Sequence, residues 1–137
     1  MSTKTNISPS IIASEKLSFC ELSLRDDGIF LINVFPMVNL GREEMVQMQE
    51  AKVRITNNTK YVNLIIMQKY SSADHEARDY VGTEEAMALR IADAFVITSL
   101  PQRIVGNFYL NFNKPKVPTR FFTSEEEAEK WLRQFIK

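Results

Sequence analysis

Side chains able to do chemistry are few in this chain, and they crowd into one stretch. His75 is the single histidine and Cys20 the single cysteine. A metal centre on either would need ligands that no other His or Cys can supply, so neither a metal nor a cofactor is expected. Asp79 follows His75 by four residues, which puts both on one helix face. Ser71 or Ser72 would complete the residue types of a Ser-His-Asp set. Residues on one helical turn, however, do not converge as nucleophile, base and orienter, and the pattern Gly-x-Ser-x-Gly is missing. Asp74-His75-Glu76 with Arg78-Asp79 therefore reads as a solvated helix face. Cys20, beside Phe19 and Leu22, reads as a small buried hydrophobe. Gly28, Gly41, Gly82 and Gly106 are scattered, without the Gly-x-Gly-x-x-Gly or Walker spacing that cradles phosphates. Glu125-Glu126-Glu127 open a helix, where the dipole explains them. No catalytic residue is singled out, and an enzyme is not expected.

Charge is balanced in sum but not along the chain. The 137 residues carry 17 Lys plus Arg and 17 Asp plus Glu, with 45% apolar residues, an ordinary globular composition. A neutral chain lacks the positive field that grips nucleic acid, so no nucleic-acid partner is expected. Residues 74–93 hold six acids, whereas 94–124 hold none and contribute Arg103, Lys114, Lys116 and Arg120. Phe108, Tyr109, Phe112, Phe121 and Phe122 interleave with those cations. Aromatics at helical spacing usually face a core. The favoured reading makes the rings core and the cations exposed neighbours of the acidic stretch; an anion or acidic-partner strip is the alternative.

The elements that would position these residues follow from periodicity. Residues 1–16 are polar and read as a loose N-terminal arm, with residues 17–137 as a single domain. Leu22 and Leu24 alternate with polar residues, Asp26-Asp27-Gly28 suits a tight turn, and Ile29–Val34 is apolar on both faces: an antiparallel hairpin. Pro36 ends it and Asn39 can cap a helix whose stripe is Met45, Met48, Ala51 and Ile55. Those methionines are core filling or the wall of an adaptable apolar groove. Tyr61–Met67 is a buried strand. Helix is expected through Ala77–Tyr80 and again over Glu84–Ala92, with a strand over Ala94–Thr98. Ser99 caps the next helix, whose broad apolar face is Ile104, Val105, Phe108, Tyr109 and Phe112. Arg120–Phe122 is the last strand, and Thr123 caps the last helix, with Ala128, Trp131, Leu132 and Phe135 on one face. The order predicts an α/β fold: a mixed, mostly parallel sheet opened by an antiparallel hairpin, helices packed on it.

This order, with Ala77-Arg78-Asp79-Tyr80, Ala94-Phe95-Val96-Ile97, Arg103–Phe108, Asn113-Lys114-Pro115, Pro118–Phe122 and Ala128–Leu132, resembles the STAS-like domains. Their fold is that of the bacterial anti-sigma-factor antagonists, the SpoIIAA-like fold. The similarity spans residues 17–136 and is nearest to a stand-alone, uncharacterised Bacteroidetes-type subgroup. In the antagonists a phosphorylatable Ser follows the third strand within Asp-Ser-Ser-Gly. Ser71 and Ser72 fall near that place, but the preceding Asp and following Gly are absent.

The resemblance implies a fold and does not name a biochemical function. The leading expectation is a non-enzymatic regulatory or protein-interaction module, with homodimerisation among its expected modes. Its partner or anion contact would use Lys69, Ser71, Ser72 and Arg78. The other is a carrier of a small apolar molecule or lipid in a pocket like that of the CRAL-TRIO domains, with Arg103 holding an anionic head. A pocket of about 300 Å³ or more would favour the carrier. Met1–Ser10 has no apolar stretch of a secretory signal, and the longest aliphatic runs fall short of the ~20 residues of a membrane span. A cytoplasmic protein is the expectation.

Overall fold

A computed structural model describes residues 8–136. Its frame is a six-stranded sheet in the order β1-β2-β3-β5-β7-β8. The strands are β1 (Ile11–Lys16), β2 (Cys20–Arg25), β3 (Ile29–Val34), β5 (Tyr61–Met67), β7 (Arg90–Val96) and β8 (Thr119–Phe122). The first three pair antiparallel and the rest parallel. A second, two-stranded sheet joins β4 (Asn39–Leu40) to β6 (Ser72–Ala73). Five α-helices are present among the described residues: α1 (Arg42–Thr56), α2 (His75–Val81), α3 (Glu84–Met87), α4 (Leu100–Phe108) and α5 (Glu125–Arg133). The last turn of α4 widens into a π-helical turn, Tyr109–Asn113. The predicted mixed, mostly parallel sheet with its opening hairpin is thus the architecture found. Among the described residues no helix is long and apolar enough to cross a membrane.

The hairpin forms where the sequence places it. Gly28 takes φ 91°, a left-handed conformation that costs glycine no Cβ clash, and Leu24 faces Phe30 across the turn. Five local readings are corrected. Residues 11–16, expected in a loose arm, form β1. Its polar composition hides a strand whose ladder bonds to β2 need only one sheltered edge; residues 1–7 lie outside the described region. The helix expected over 84–92 stops at Met87, because from Arg90 alternate residues serve opposite faces of a sheet. Gly41 rather than Asn39 begins α1, and Ser124 rather than Thr123 caps α5 by accepting from the Glu127 N–H. Finally, the apolar face of α4 does not all turn inward. Leu100, Ile104, Phe108 and Phe112 remain exposed, since the helix is apolar over a wider arc than the sheet can cover.

Period-two alternation splits the interior into two cores. Ile29, Val62, Leu64, Ala92, Ala94 and Val96 pack against Ala128 and Leu132 of α5. On the opposite face Phe30, Ile32, Val34, Ile65, Met67 and Ile97 look toward α1 and α2.

Candidate functional site

On that second face the interior does not close. A cavity of about 430 Å³ lies between the sheet and the helices α1, α2 and α4. Its sheet wall follows from the alternation: Ile32 and Val34 of β3, Asn63, Ile65 and Met67 of β5, then Asp93 and Phe95 of β7 with Ile97 beyond it. Asn63 to Met67 is four residues of strand, about 13 Å. Met45, Met48 and Lys52 of α1 line the opposite wall, spaced three and four residues apart so that one side of the helix presents all three. From α4, Gln102, Val105 and Gly106 close the space over Phe121. A Cβ on Gly106 would stand 2.8 Å from the Phe121 ring, so only glycine lets this helix come so near the sheet. Tyr70 and Pro101 are the exposed members of the lining, and both sit at the C-terminal ends of the strands.

The other end of the cavity is polar and buried. The Arg90 guanidinium donates from Nε and Nη2 to Asp93 Oδ2, at 2.9 and 2.5 Å, and from Nη1 to the Val81 carbonyl at 2.6 Å. Asn63 Nδ2 donates to Asp93 Oδ1 at 2.7 Å. That bond fixes the amide orientation, and the buried Asn63 Oδ1 is left with no donor among the described residues. Lys52, 4% exposed, enters the same space with no hydrogen bond or ion pair among the described residues; its ammonium lies 5.4 Å from the centre of the Phe30 ring. Burial pushes its pKa down to about 8; Asp93 pulls upward and Arg90 pushes further down. Burial opposes charge on Arg90 too, but Asp93 and Tyr109 beside it outweigh that and raise its pKa. One acid thus serves two cations, and its oxygens are already engaged by Arg90 and Asn63.

The residues singled out in the sequence fall mostly on the cavity rim. Ser71, Ser72 and Arg78 come together there, at the strand C-termini. Ser71 is buried and donates to the Gln68 carbonyl at 2.6 Å; Ser72 donates to Asn39 Oδ1 at 3.0 Å. Arg78 donates to the Ala73 carbonyl at 2.5 Å and stacks over Phe108, while its Nε has no acceptor among the described residues. Lys69 does not line the cavity; it is exposed, over the Tyr70 ring. Arg103 is exposed on α4 and lines no part of the cavity either. The start of α2 is already occupied by the Asp74 carboxylate, which accepts from the Ala77 N–H. His75 is exposed, and Asp79 accepts from Asn113 instead. Cys20 is wholly buried, its thiol pKa pushed up to about 12 by burial, as a packed hydrophobe requires.

Lys52, Asn63, Arg90 and Asp93 were not among the expected site residues. Three of them, all but Arg90, carry a signal of a kind the sequence can show: a polar residue where the period demands an apolar one. Lys52 continues the Met45–Met48 stripe, Asn63 interrupts Tyr61–Met67, and Asp93 separates Ala92 from Ala94.

Comparison with known proteins agrees on fold. A family model described as a domain of unknown function, DUF7793, matches residues 22–136. No curated protein matches. Among solved structures, an uncharacterised protein of the DUF3478 family from Shewanella loihica, with a SpoIIAA-like fold, superimposes with a TM-score of 0.58 at 16% identity, over 91% of this chain and 93% of its own. A protein of unknown function from an Arthrobacter species gives 0.29 at 21% identity, over 82% and 97%. The first of these likenesses shows the fold to be SpoIIAA-like, as the sequence resemblance implied.

Proposed function

The chain belongs to the DUF7793 family, a domain of unknown function, and on that footing we propose that it binds a small, predominantly apolar molecule in the cavity beneath α1, α2 and α4. The cavity itself carries this reading. At about 430 Å³ it falls within the range of small-molecule sites, and its lining is apolar with a few convergent polar groups. Its mouth opens where parallel strands end, the usual place for a ligand in an open α/β sheet. An unfilled apolar void costs stability in proportion to its volume. A chain of about ten methylenes would gain ~8 kcal/mol of burial before the costs of association.

Of the two functional expectations, this is the carrier. What supports it over a phospho-switch is the rim: Ser71 is buried and already hydrogen-bonded. The uncharged dye N-phenyl-1-naphthylamine tests the reading. Saturable, one-site fluorescence enhancement is expected with the purified full chain. Absence of saturable enhancement, together with no bound apolar mass in native mass spectrometry, would overturn it.

A further inference from the structure

The charge balance at the inner end of the cavity identifies the ligand's head. Lys52, Arg90 and Asp93 are the ionisable side chains gathered there beside the neutral Asn63 and Tyr109. Asp93 is bound twice by Arg90 and once by Asn63. With all three ionised the group carries one net positive charge, and Lys52 holds it, 4% exposed and unpaired among the described residues. A buried cation without a partner is strongly unfavourable, and an anion at hydrogen-bond distance offsets part of that penalty. The single excess charge at this inner end calls for one anionic head; the other cation of the lining without an ion pair among the described residues, Arg78, lies on the rim.

We propose that the cavity takes a monocarboxylate with a medium-length apolar chain, its head paired with Lys52 and its chain running along the sheet toward Tyr70 and Pro101. This rests on the reading of the cavity as a ligand site. The ~13 Å from Asn63 to Met67 sets the run available to the chain, and 430 Å³, roughly fourteen water volumes of ~30 Å³, sets its bulk. A neutral alcohol is the informative competitor. Its hydroxyl can accept from Lys52 and donate to Asn63 Oδ1, but it leaves the charge in place. The head contact therefore belongs to Lys52 on α1, not to the exposed Arg103.

The test is displacement of N-phenyl-1-naphthylamine from the full chain, freed of bound lipid, by decanoate, decanol, decylamine and decyl phosphate. Decanoate is expected to compete at least about tenfold better than decanol, with decylamine and the phosphate weaker than decanoate. Lys52→Met should keep the dye and decanol and lose the preference for decanoate. If the dye binds but wild type treats decanoate and decanol alike, or prefers decyl phosphate, the carboxylate assignment falls and the cavity reading stands. If neither dye nor any decyl compound binds, both fall. The wild-type comparison needs no variant, so a misfolded Lys52→Met leaves the test intact.

Discussion

At Lys52 stability and binding make opposite demands. Its methylenes follow the Met45–Met48 stripe of α1, yet its ammonium is buried over the Phe30 ring with the Asp93 carboxylate as its only attracting charge among the described residues, and Asp93 is already held by Arg90. Burial lowers its pKa from 10.5 to about 8. Below pH 8 both folded and unfolded chains carry the proton, and the folded state bears the full desolvation penalty. Between pH 8 and 10.5 the unfolded chain binds more protons than the folded one, so stability climbs with pH; above that the penalty is gone. At ~1.4 kcal/mol per pH unit the penalty is about 3 kcal/mol. Lys52→Met should accordingly unfold at higher urea than wild type at pH 7, by up to that amount, and the gap should close as pH rises toward 10.5. Arg90 and Asp93 of β7 and Tyr109 of the π-helical turn face the same group, but they are common to both proteins and drop out of the difference. Urea titrations at the two pH values read it directly, and a pH-independent gap would contradict the account.

Among the elements, α4 is positioned less by its own apolar face than by one buried amide. Gln102 Nε2 donates to the carbonyls of Gln68 and Ser71, both at 3.0 Å, and its Oε1 accepts from the Thr98 N–H at 2.9 Å. The helix start is thereby fastened to the loop that follows β5, which forms the cavity rim. Gln102→Leu keeps the bulk and removes the bonds, stranding buried carbonyls at ~1–3 kcal/mol. A loss of about 2 kcal/mol in urea unfolding is expected, with faster amide exchange over residues 68–72 and little change in α5. The Ser99 cap was legible in the sequence, but this fastening was not, because the bonds from Gln102 to Gln68 and Ser71 cross more than thirty residues. The same limit explains β1, whose strand character comes from β2 and not from its own residues. Strands with nearly continuous apolar runs, Ile29–Val34 and Tyr61–Met67, were legible because both faces are largely buried. The site was legible only as exceptions to those patterns, since Asn63 and Asp93 look like defects until β5 and β7 set them opposite each other in register.

Across the whole molecule the two faces of the sheet are packed for different ends. The α5 face carries small residues on β7, Ala92 and Ala94, into which Leu132 and Ala128 fit with no exposure at all. The α1 face leaves a void bounded by Met45, Met48 and Val105, on a wall that includes the half-buried Phe95 and Phe121. Close packing makes volume changes expensive on the first face, and spare volume should make them cheap on the second. Leu132→Ala is therefore expected to cost about 2–5 kcal/mol, the range for a fully buried leucine. Val105→Phe adds bulk toward the void and should stay within about 1 kcal/mol of wild type, while N-phenyl-1-naphthylamine binding falls at least about tenfold. Unfolding free energy and dye affinity measured on both variants separate the roles of the two faces. Were Val105→Phe as destabilising as Leu132→Ala, the face beneath α1 and α4 would be a core like the other, and its cavity would not be a site. Were it well folded with dye binding intact, the ligand would lie elsewhere than against α4.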